Sequence, residues 1–598
     1  MARRYLDWLG ATHGVAFHPL RPAGSANRTL DERRASAPEA PAAAETPTGF
    51  PSADRAAIGL LLVALILGYA WRYEPTEPFF GDEPRHVMTS VFFKDALVDR
   101  PFADPVAYAQ RYYVQYPALG LLVWPPLVHA LIGAAMVVLG SHMVVAQGAI
   151  VLALLLSTWI VFWHVRRRET CAVAWATAAI TAWAPLTVVH AGQVMLEVPA
   201  LAFGLGALSA FDAFLEDGRT RNIWAAGLLA SAAVLTRFDA AMLVAVFIGL
   251  AALRGRLALI LARPVWPVAG VALVVTAPVV LLTAVQFGAT HWKTIAPSAA
   301  STPTMDAWAA WTFYPKLLPS QVGVTVLLLA GLGLAHVLAS RDRRRAGAPW
   351  LALALVTYVV FSAISEKLSR HVIWWVPAAA YFAAVAIDTL RARVGLNPRW
   401  TARGAAIVVG VTVWTSCAEP APYVRGYRAA AEYVASASKS RLCLVDALLD
   451  GDFAFQLRNA DPERRITIAR GDKLLYTTRS HPTAGYRELA ASADDILDVL
   501  YRYDPELLVI EERPPSAPSV PAAERLRAVL RERTDRFELV RSWPIDSNVP
   551  RFAGGRVDVY RQIRRNPTPE RLDRVIVPGL GRHVESDPAA GRGQGGAR

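Results

Sequence analysis

Cysteine is almost absent: Cys171, Cys417 and Cys443 are the only three in 598 residues, and none shows Cys-x-x-Cys spacing. That excludes a disulfide framework and a cysteine-ligated zinc site. No glycine-rich loop follows a strand-like run, so nothing supports a bound nucleotide. No small-residue cleavage site follows the first apolar run, which therefore reads as an anchor and not a removed signal. Charge is scarce as well. Only 19% of residues are Asp, Glu, Lys or Arg, against 54% hydrophobic and a mean hydropathy of +0.30. An ordinary soluble enzyme does not have that balance.

What is present is a series of apolar blocks from Ala56 to Cys417, separated by Arg-rich or Pro/Gly-rich breaks. This is the pattern of a polytopic α-helical membrane protein. The net charge of +13 does not point to nucleic acid, because the basic residues gather in short loops between apolar blocks and in the two tails. Arg166–Arg168, Arg219/Arg221, Arg254/Arg256, Arg341–Arg345 and Arg391–Arg403 are predicted to be cytoplasmic by the positive-inside rule. The loops near 190–197, 236–238, 286–320 and 365–370 then fall outside. The count closes if the block at 118–140 does not cross. Pro125-Pro126 breaks it, and the helix that follows is only ~20 Å long, short of the ~30 Å apolar core of a bilayer. About eleven spans result, near 56–72, 143–165, 171–189, 197–214, 222–236, 239–254, 265–286, 320–340, 349–364, 371–388 and 403–418.

Four parts follow from this count. Residues 1–55, rich in Ala, Pro and Arg, read as a disordered cytoplasmic tail. Residues 56–420 form the membrane domain, with 73–142 as a first outer loop carrying juxtamembrane helices. Residues 421–565 turn soluble and read as an extracytoplasmic α/β domain, with strands at Arg441–Ala447, Ile466–Arg470, Leu507–Glu512, Phe537–Trp543 and Arg556–Gln562. Helices are predicted near 426–439, 488–503 and 521–533. Residues 566–598 read as a disordered tail.

The polar residues of the outer side form four groups. Gly81-Asp82-Glu83-Pro84-Arg85-His86 opens a helix predicted to run to about Leu97, with Asp82 as N-cap and Pro84 in the first turn. Asp82, Arg85 and His86 share its face at i, i+3 and i+4, and Met88, Val91, Phe92 and Ala96 would lie on the membrane surface. His190–Glu197 places Glu197 just before Val198-Pro199. Thr236-Arg237-Phe238-Asp239 is a polar turn, which a local ion pair would explain. Ser365–His371 is basic, against the charge bias of outer loops, and invites an anion. Plain solvated ends account for any one of these alone, but ionisable groups at membrane depth are costly. The loop 286–320 adds His291, Trp292, Lys293, Trp308, Trp311, Phe313 and Tyr314, aromatics suited to the interface.

Together, in this order and on one side, these groups resemble the GT-C membrane glycosyltransferases of the aminoarabinose-transferase and protein O-mannosyltransferase type. The resemblance covers about 56–420. It implies a polyprenyl-phosphate-linked sugar as donor, an extracytoplasmic acceptor, inversion at the anomeric carbon and a multi-pass place in the plasma (inner) membrane. Asp82-Glu83-Pro84-Arg85-His86 matches the family's Asp-Glu-x-Arg-Tyr, making Asp82 the catalytic carboxylate with Glu83 beside it and Arg85 and His86 as substrate contacts. Val194–Pro199 matches a Leu-Asp-x-Pro-like element with Glu197 for Asp, and Leu235-Thr236-Arg237 matches a Thr-Lys turn. Glu366–His371 matches a Lys-x-x-x-Tyr-like stretch, which makes Lys367 a phosphate ligand, with Arg370 and His371 nearby. Tyr112–Pro117 aligns with a segment that often ends Lys-Pro; Tyr116 stands in that lysine's place, leaving Tyr112 as a substrate contact. A divalent cation, Mg²⁺ or Mn²⁺, would take Asp82 and Glu197 as ligands. The competing classes are a transporter or flippase, which would carry ionisable residues at mid-span and repeats, and a sensor or scaffold using the α/β domain.

Overall fold

The computed structural model describes residues 51–73, 77–78, 81–121, 123–295, 306–364, 367–478, 486–514, 519–577 and 582–585. The tail before residue 51, Ser365, Glu366, the side chains of His291, Trp292 and Lys293, and the chain after 585 lie outside the described residues.

Helices α1 (Ser52–Arg72), α2 (Glu83–Asp99), α3 (Pro105–Gln115), α4 (Leu127–Leu139), α5 (Met143–Arg166), α6 (Cys171–Trp183), α7 (Pro185–Ala191) and α8 (Glu197–Asp217) come first. Then follow α9 (Thr220–Val234), α10 (Leu243–Leu253), α11 (Val265–Ile295), α12 (Ala307–Val322), α13 (Val324–Ala339), α14 (Arg341–Ala363), α15 (Val376–Arg393) and α16 (Arg399–Cys417). Among the described residues, six helices are long and apolar enough to cross a membrane, and two bent pairs raise the number to eight. A helix occupies each of the eleven predicted positions. Those outside the eight are short, as α9 and α10 are, or begin on arginines, as α16 does at Arg399 and Arg403. The bend between α12 and α13 is 116° and falls at Gly323, whose φ of +87° suits glycine. Trp308 and Trp311 on α12 are exposed, whereas Tyr314 is fully buried.

All the arginine-rich loops meet at one end of the bundle. Asp212 near the end of α8 accepts Arg168 at 2.6 Å and Arg254 at 2.7 Å. Glu169 pairs with Arg343, and Asp388 with Arg343 and Arg391. The starts of α8 and α15 lie at the other end, where Glu197 and Arg370 approach each other.

The C-terminal part contains β1 (Val424–Arg425), α17 (Tyr427–Ala437), β2 (Leu442–Asp446), α18 (Asp450–Ala460), β3 (Thr467–Arg470), α19 (Gly471–Leu474), β4 (Tyr476–Thr477) and β5 (Arg487–Glu488). It continues through α20 (Ala493–Tyr503), β6 (Leu507–Glu512), α21 (Pro521–Glu532), β7 (Phe537–Pro544), β8 (Asp546–Ser547) and β9 (Arg556–Gln562). The five-stranded sheet has the order β3-β2-β6-β9-β7, with β3, β2 and β6 parallel and the last two antiparallel. Every strand of this sheet falls on a predicted one. Within the segment read as a disordered tail, β10 (Arg574–Val577) and β11 (Arg582–Glu585) pair antiparallel.

One buried apolar cluster runs from the spans through α2 and α18 (Phe453, Phe455, Leu457) into one face of the sheet. The other face packs a separate cluster against α20 and α21. Helix α2 therefore departs from the surface helix expected: ten of its residues, from Glu83 to Asp95, are buried. On one side Gly133 of α4 lies so close that a Cβ there would stand 2.6 Å from the Ser90 carbonyl oxygen. On the other side α18 covers it.

Candidate functional site

The site is assembled at the start of α2. Pro84 fits the first turn, where a missing N–H costs nothing. Asp82 precedes that turn but its side chain does not cap it. The carboxylate leaves the helix instead, and Asp82 Oδ2 receives Arg370 Nη1 at 2.7 Å. Glu83 is 2% exposed and accepts the Val194 N–H at 2.8 Å. This holds the loop before α8 against α2. Glu83, expected to be catalytic beside Asp82, is committed to that backbone amide.

Four segments far apart in the chain converge here. Arg370 Nε lies 3.6 Å from Glu197 Oε1, so one guanidinium bridges Asp82 and Glu197. Arg237 also pairs with Glu197 and forks onto Asp239 at 3.0 and 2.6 Å. A fork of this kind uses the planar guanidinium geometry. Glu197 is 1% exposed, while Asp82 and Arg370 keep 23% and 19% of their side chains exposed, so the cluster is closed below and open above. Beneath it, Glu197 Oε2, both ring nitrogens of His190 and Nδ1 of His371 are buried without a hydrogen-bond partner among the described residues. The His371 ring stacks on Phe361 with centroids 5.3 Å apart. The Arg85 side chain makes no hydrogen bond or ion pair among the described residues, and the carboxylates of Asp450 and Asp472 feel its charge. His86 lies one turn beyond Asp82, its backbone N–H on the Asp82 carbonyl at 3.0 Å. Its ring hydrogen-bonds His129 on α4 at 3.0 Å and packs on Trp124 at 4.3 Å. Burial, and then His129, pushes the His86 ring well below its ordinary 6.5.

Two expected contacts lie elsewhere. Lys367, expected on the phosphate, donates to the carbonyls of Phe361, Ser362 and Ile364, and its ammonium lies over the Tyr314 ring. The orphan carbonyls and negative dipole end of α14 capture it. Tyr112, expected on the substrate, donates its hydroxyl to Asp95 at 2.7 Å. Asp95 is twelve residues along α2 from Glu83, about 18 Å at 1.5 Å per residue.

That Tyr112–Asp95 pair belongs to the seam with the α/β domain. Arg458 forks onto Asp95 at 2.9 and 2.8 Å, with both side chains buried. Arg464 reaches Asp99 at 2.8 Å, and Arg470 donates to the Pro117 carbonyl at 2.7 Å. Glu77 accepts the first amides of α17, Gly426 at 3.1 Å and Tyr427 at 3.2 Å. A Cβ on Gly451 would come within 2.9 Å of Pro84. The carboxyl ends of β2 and β3, the edge where open α/β sheets bind ligands, thus abut the Asp82 loop. Sequence reasoning missed His129, Glu77, Asp450, Asp472 and the arginines of α18 and β3. Glu77, Arg458 and Arg470 have partners some 350 positions away, and His129 has its partner 43 positions away on another helix, so no local pattern marks them.

Known proteins can be set against this geometry. A family model described as dolichyl-phosphate-mannose-protein mannosyltransferase matches residues 123–282, a span that holds Glu197 and Arg237 but neither Asp82 nor Arg370. The structure is similar to ArnT from Cupriavidus metallidurans bound to undecaprenyl phosphate, with TM-score 0.52 and 16% identity over 84% of this chain and 98% of that one. The fold is GT-C. The apo form of the same GT-C protein gives TM-score 0.54 and 15% identity, covering 84% of this chain and 100% of that one. The apo oligosaccharyltransferase of Archaeoglobus fulgidus gives 0.51 and 9%, over 77% and 69%. No curated protein matches the sequence. The GT-C spans identify a multi-span membrane protein. Among the described residues, no group of three His, Cys, Asp or Glu is placed to hold a metal ion. Asp82 and Glu197, the expected ligands, both face Arg370.

Proposed function

We propose that the chain is an integral membrane glycosyltransferase that moves a sugar from a polyprenyl-phosphate donor to an extracytoplasmic acceptor, a lipid, glycan or protein, with inversion. The observation that carries it is the Asp82–Arg370–Glu197–Arg237 cluster: four distant segments meet in one half-open site near Arg85, at the end opposite the arginine-tied loops. ArnT, of the same fold, was solved with undecaprenyl phosphate, which supports the donor class.

The reaction expels a phosphate ester, so cations must meet the charge that develops on it. The Arg85 side chain makes no hydrogen bond or ion pair among the described residues, and Arg370 stays partly exposed. Asp82 orients the acceptor hydroxyl. Glu197 and Arg237 hold Arg370 in register from below. Apolar residues exposed on the spans, such as Leu60, Leu67 and Leu152, offer a face to the polyprenyl tail. By the charge count the N-terminus is cytoplasmic and the α/β domain is outside, and the resemblance implies the plasma (inner) membrane.

The experiment is a deletion strain re-expressing the chain or Asp82→Ala, with ³²P-labelled polyprenyl phosphates extracted from the membranes. The expected result is sugar-loaded lipid that accumulates in the deletion and the variant and is consumed with the native chain. Equal consumption by a folded Asp82→Ala protein sinks the assignment. Translocation of the loaded lipid without consumption would favour a flippase. Loss of turnover on chelation, restored by Mg²⁺ or Mn²⁺, would return Asp82 and Glu197 to the role of metal ligands.

A further inference from the structure

The His86 side chain stands where the resembled family has tyrosine, and its partner is a second buried histidine. His86 is 2% exposed and His129 is 1% exposed. His86 Nδ1 lies 3.0 Å from His129 Nε2, and His129 Nδ1 lies 3.1 Å from the carbonyl oxygen of Pro125. A proton inventory of this chain has one neutral solution. The Pro125 carbonyl can only accept, so His129 Nδ1 carries a hydrogen and, in a neutral ring, His129 Nε2 is bare. A bare His129 Nε2 must receive, so His86 Nδ1 carries the hydrogen and His86 Nε2 is bare in turn. The Pro125-Pro126 break supplies the free carbonyl, since a turn that starts at Pro126 leaves Pro125 O without an intrahelical amide. His86 and Asp82 are one helical turn apart on the same face.

We propose that His86, through its bare Nε2, takes the proton of the acceptor hydroxyl, and that His129 is the positioning residue that keeps that nitrogen bare. This rests on the transferase reading above. In the step, the acceptor O–H bond breaks and its proton passes to His86 Nε2. The oxygen forms a bond to the anomeric carbon, and the bond from that carbon to the phosphate oxygen breaks, its electron pair leaving with the polyprenyl phosphate. Asp82, held by Arg370, orients the hydroxyl. The groups whose charges act on the His86 ring are His129 from α4, Glu197 from α8, Arg237 from the turn after α9 and Arg370 from the segment before α15. Burial and three of those four disfavour an imidazolium, so the ring is neutral near pH 7.

Two readouts test this on the full chain in lipid nanodiscs and in membranes. The first needs no substrate. In ¹⁵N-histidine spectra, with His86 identified by its loss in His86→Phe, the native protein shows hydrogen on Nδ1 and a bare Nε2. In His129→Leu that preference disappears, and in His129→Gln, whose amide oxygen can still accept, it returns. The second readout is consumption of ³²P-labelled, sugar-loaded polyprenyl phosphate against external pH. Native turnover falls as the pH drops through the His86 value, below 6.5. His86→Phe lowers it about 100-fold, the usual worth of a general base. His129→Leu lowers it about 10-fold, as loss of an orienting partner does, and moves the midpoint upward. His129→Gln restores both. Native-like turnover and midpoint in His129→Leu overturns the proposal, and so does a native spectrum with hydrogen on His86 Nε2. Absence of consumption by the native chain at every pH overturns the transferase reading instead, and the spectra still test the histidine pair.

Discussion

The two ends of the bundle both bury a carboxylate between arginines, yet they are built differently. At the arginine-rich end, Asp212 is completely buried and receives Arg168 and Arg254, each from the end of a neighbouring helix. Asp212 thereby ties two helix ends together, and the result is a staple. At the other end, Asp82 and Arg370 stay partly exposed, Glu197 keeps one oxygen without a partner, and the Arg85 side chain pairs with nothing among the described residues. A buried ion pair adds little stability beyond what an apolar pair would, but removing one member is expensive. Both ends hold buried polar atoms without a hydrogen-bond partner among the described residues, Asp212 Oδ2 at one and Glu197 Oε2 at the other. The difference lies in exposure: Asp212 is sealed from solvent, whereas Asp82 keeps 23% of its side chain open to something that arrives.

That contrast can be broken in four ways. Asp82→Asn should lower turnover per folded molecule by about 10² through lost orientation of the acceptor while leaving the unfolding temperature in detergent unchanged, because its partner Arg370 stays near water and near Glu197. Asp212→Asn should do the reverse. It leaves two buried guanidiniums facing a neutral amide, so thermal unfolding should report a loss of about 3 kcal/mol with turnover per folded molecule intact. Lys367→Met should cost about 1 kcal/mol through the uncapped carbonyls of α14 and leave turnover within a fewfold of native. A hundredfold loss with this variant would return Lys367 to the phosphate. The smallest effect concerns pH. Arg464 holds the folded Asp99 carboxyl below its ordinary 3.8. The pair therefore contributes above that value and loses its contribution as the pH falls through the lower, folded value. Limited proteolysis at the seam should rise as the pH drops from 5 towards 3, and Arg464→Gln should flatten that dependence.

The α/β domain shows where legibility stopped. Its five principal strands were readable because buried parallel strands are short apolar runs between breaks, as Leu442–Asp446 and Leu507–Glu512 are. Helix α18 was not. Asp450-Gly451-Asp452 at its start reads as a turn, and its buried residues follow no single stripe because all eight from Gly451 to Arg458 are buried, with Arg458 turned to Asp95. The missed helix is the one that joins the domain to α2, so the seam was missed with it. The same holds for Lys367 and Tyr112. Their residue types suit a phosphate or a sugar, but the end of α14 and the carboxylate of Asp95 were closer.

The sequence by itself determined that the arginine-rich loops share one end, the short helix after Pro125-Pro126 and the candidacy of Asp82, Glu197, Arg237 and Arg370. Each depends on local pattern: hydropathy over some twenty residues, loop charge, or a proline before a helix. Tertiary structure alone decided which of these charges meet, that Arg370 and not a lysine bridges the two carboxylates, and that His86 has His129 behind it. Those outcomes depend on distances between residues up to hundreds of positions apart, and local hydropathy and charge carry no record of which polar atom will reach which.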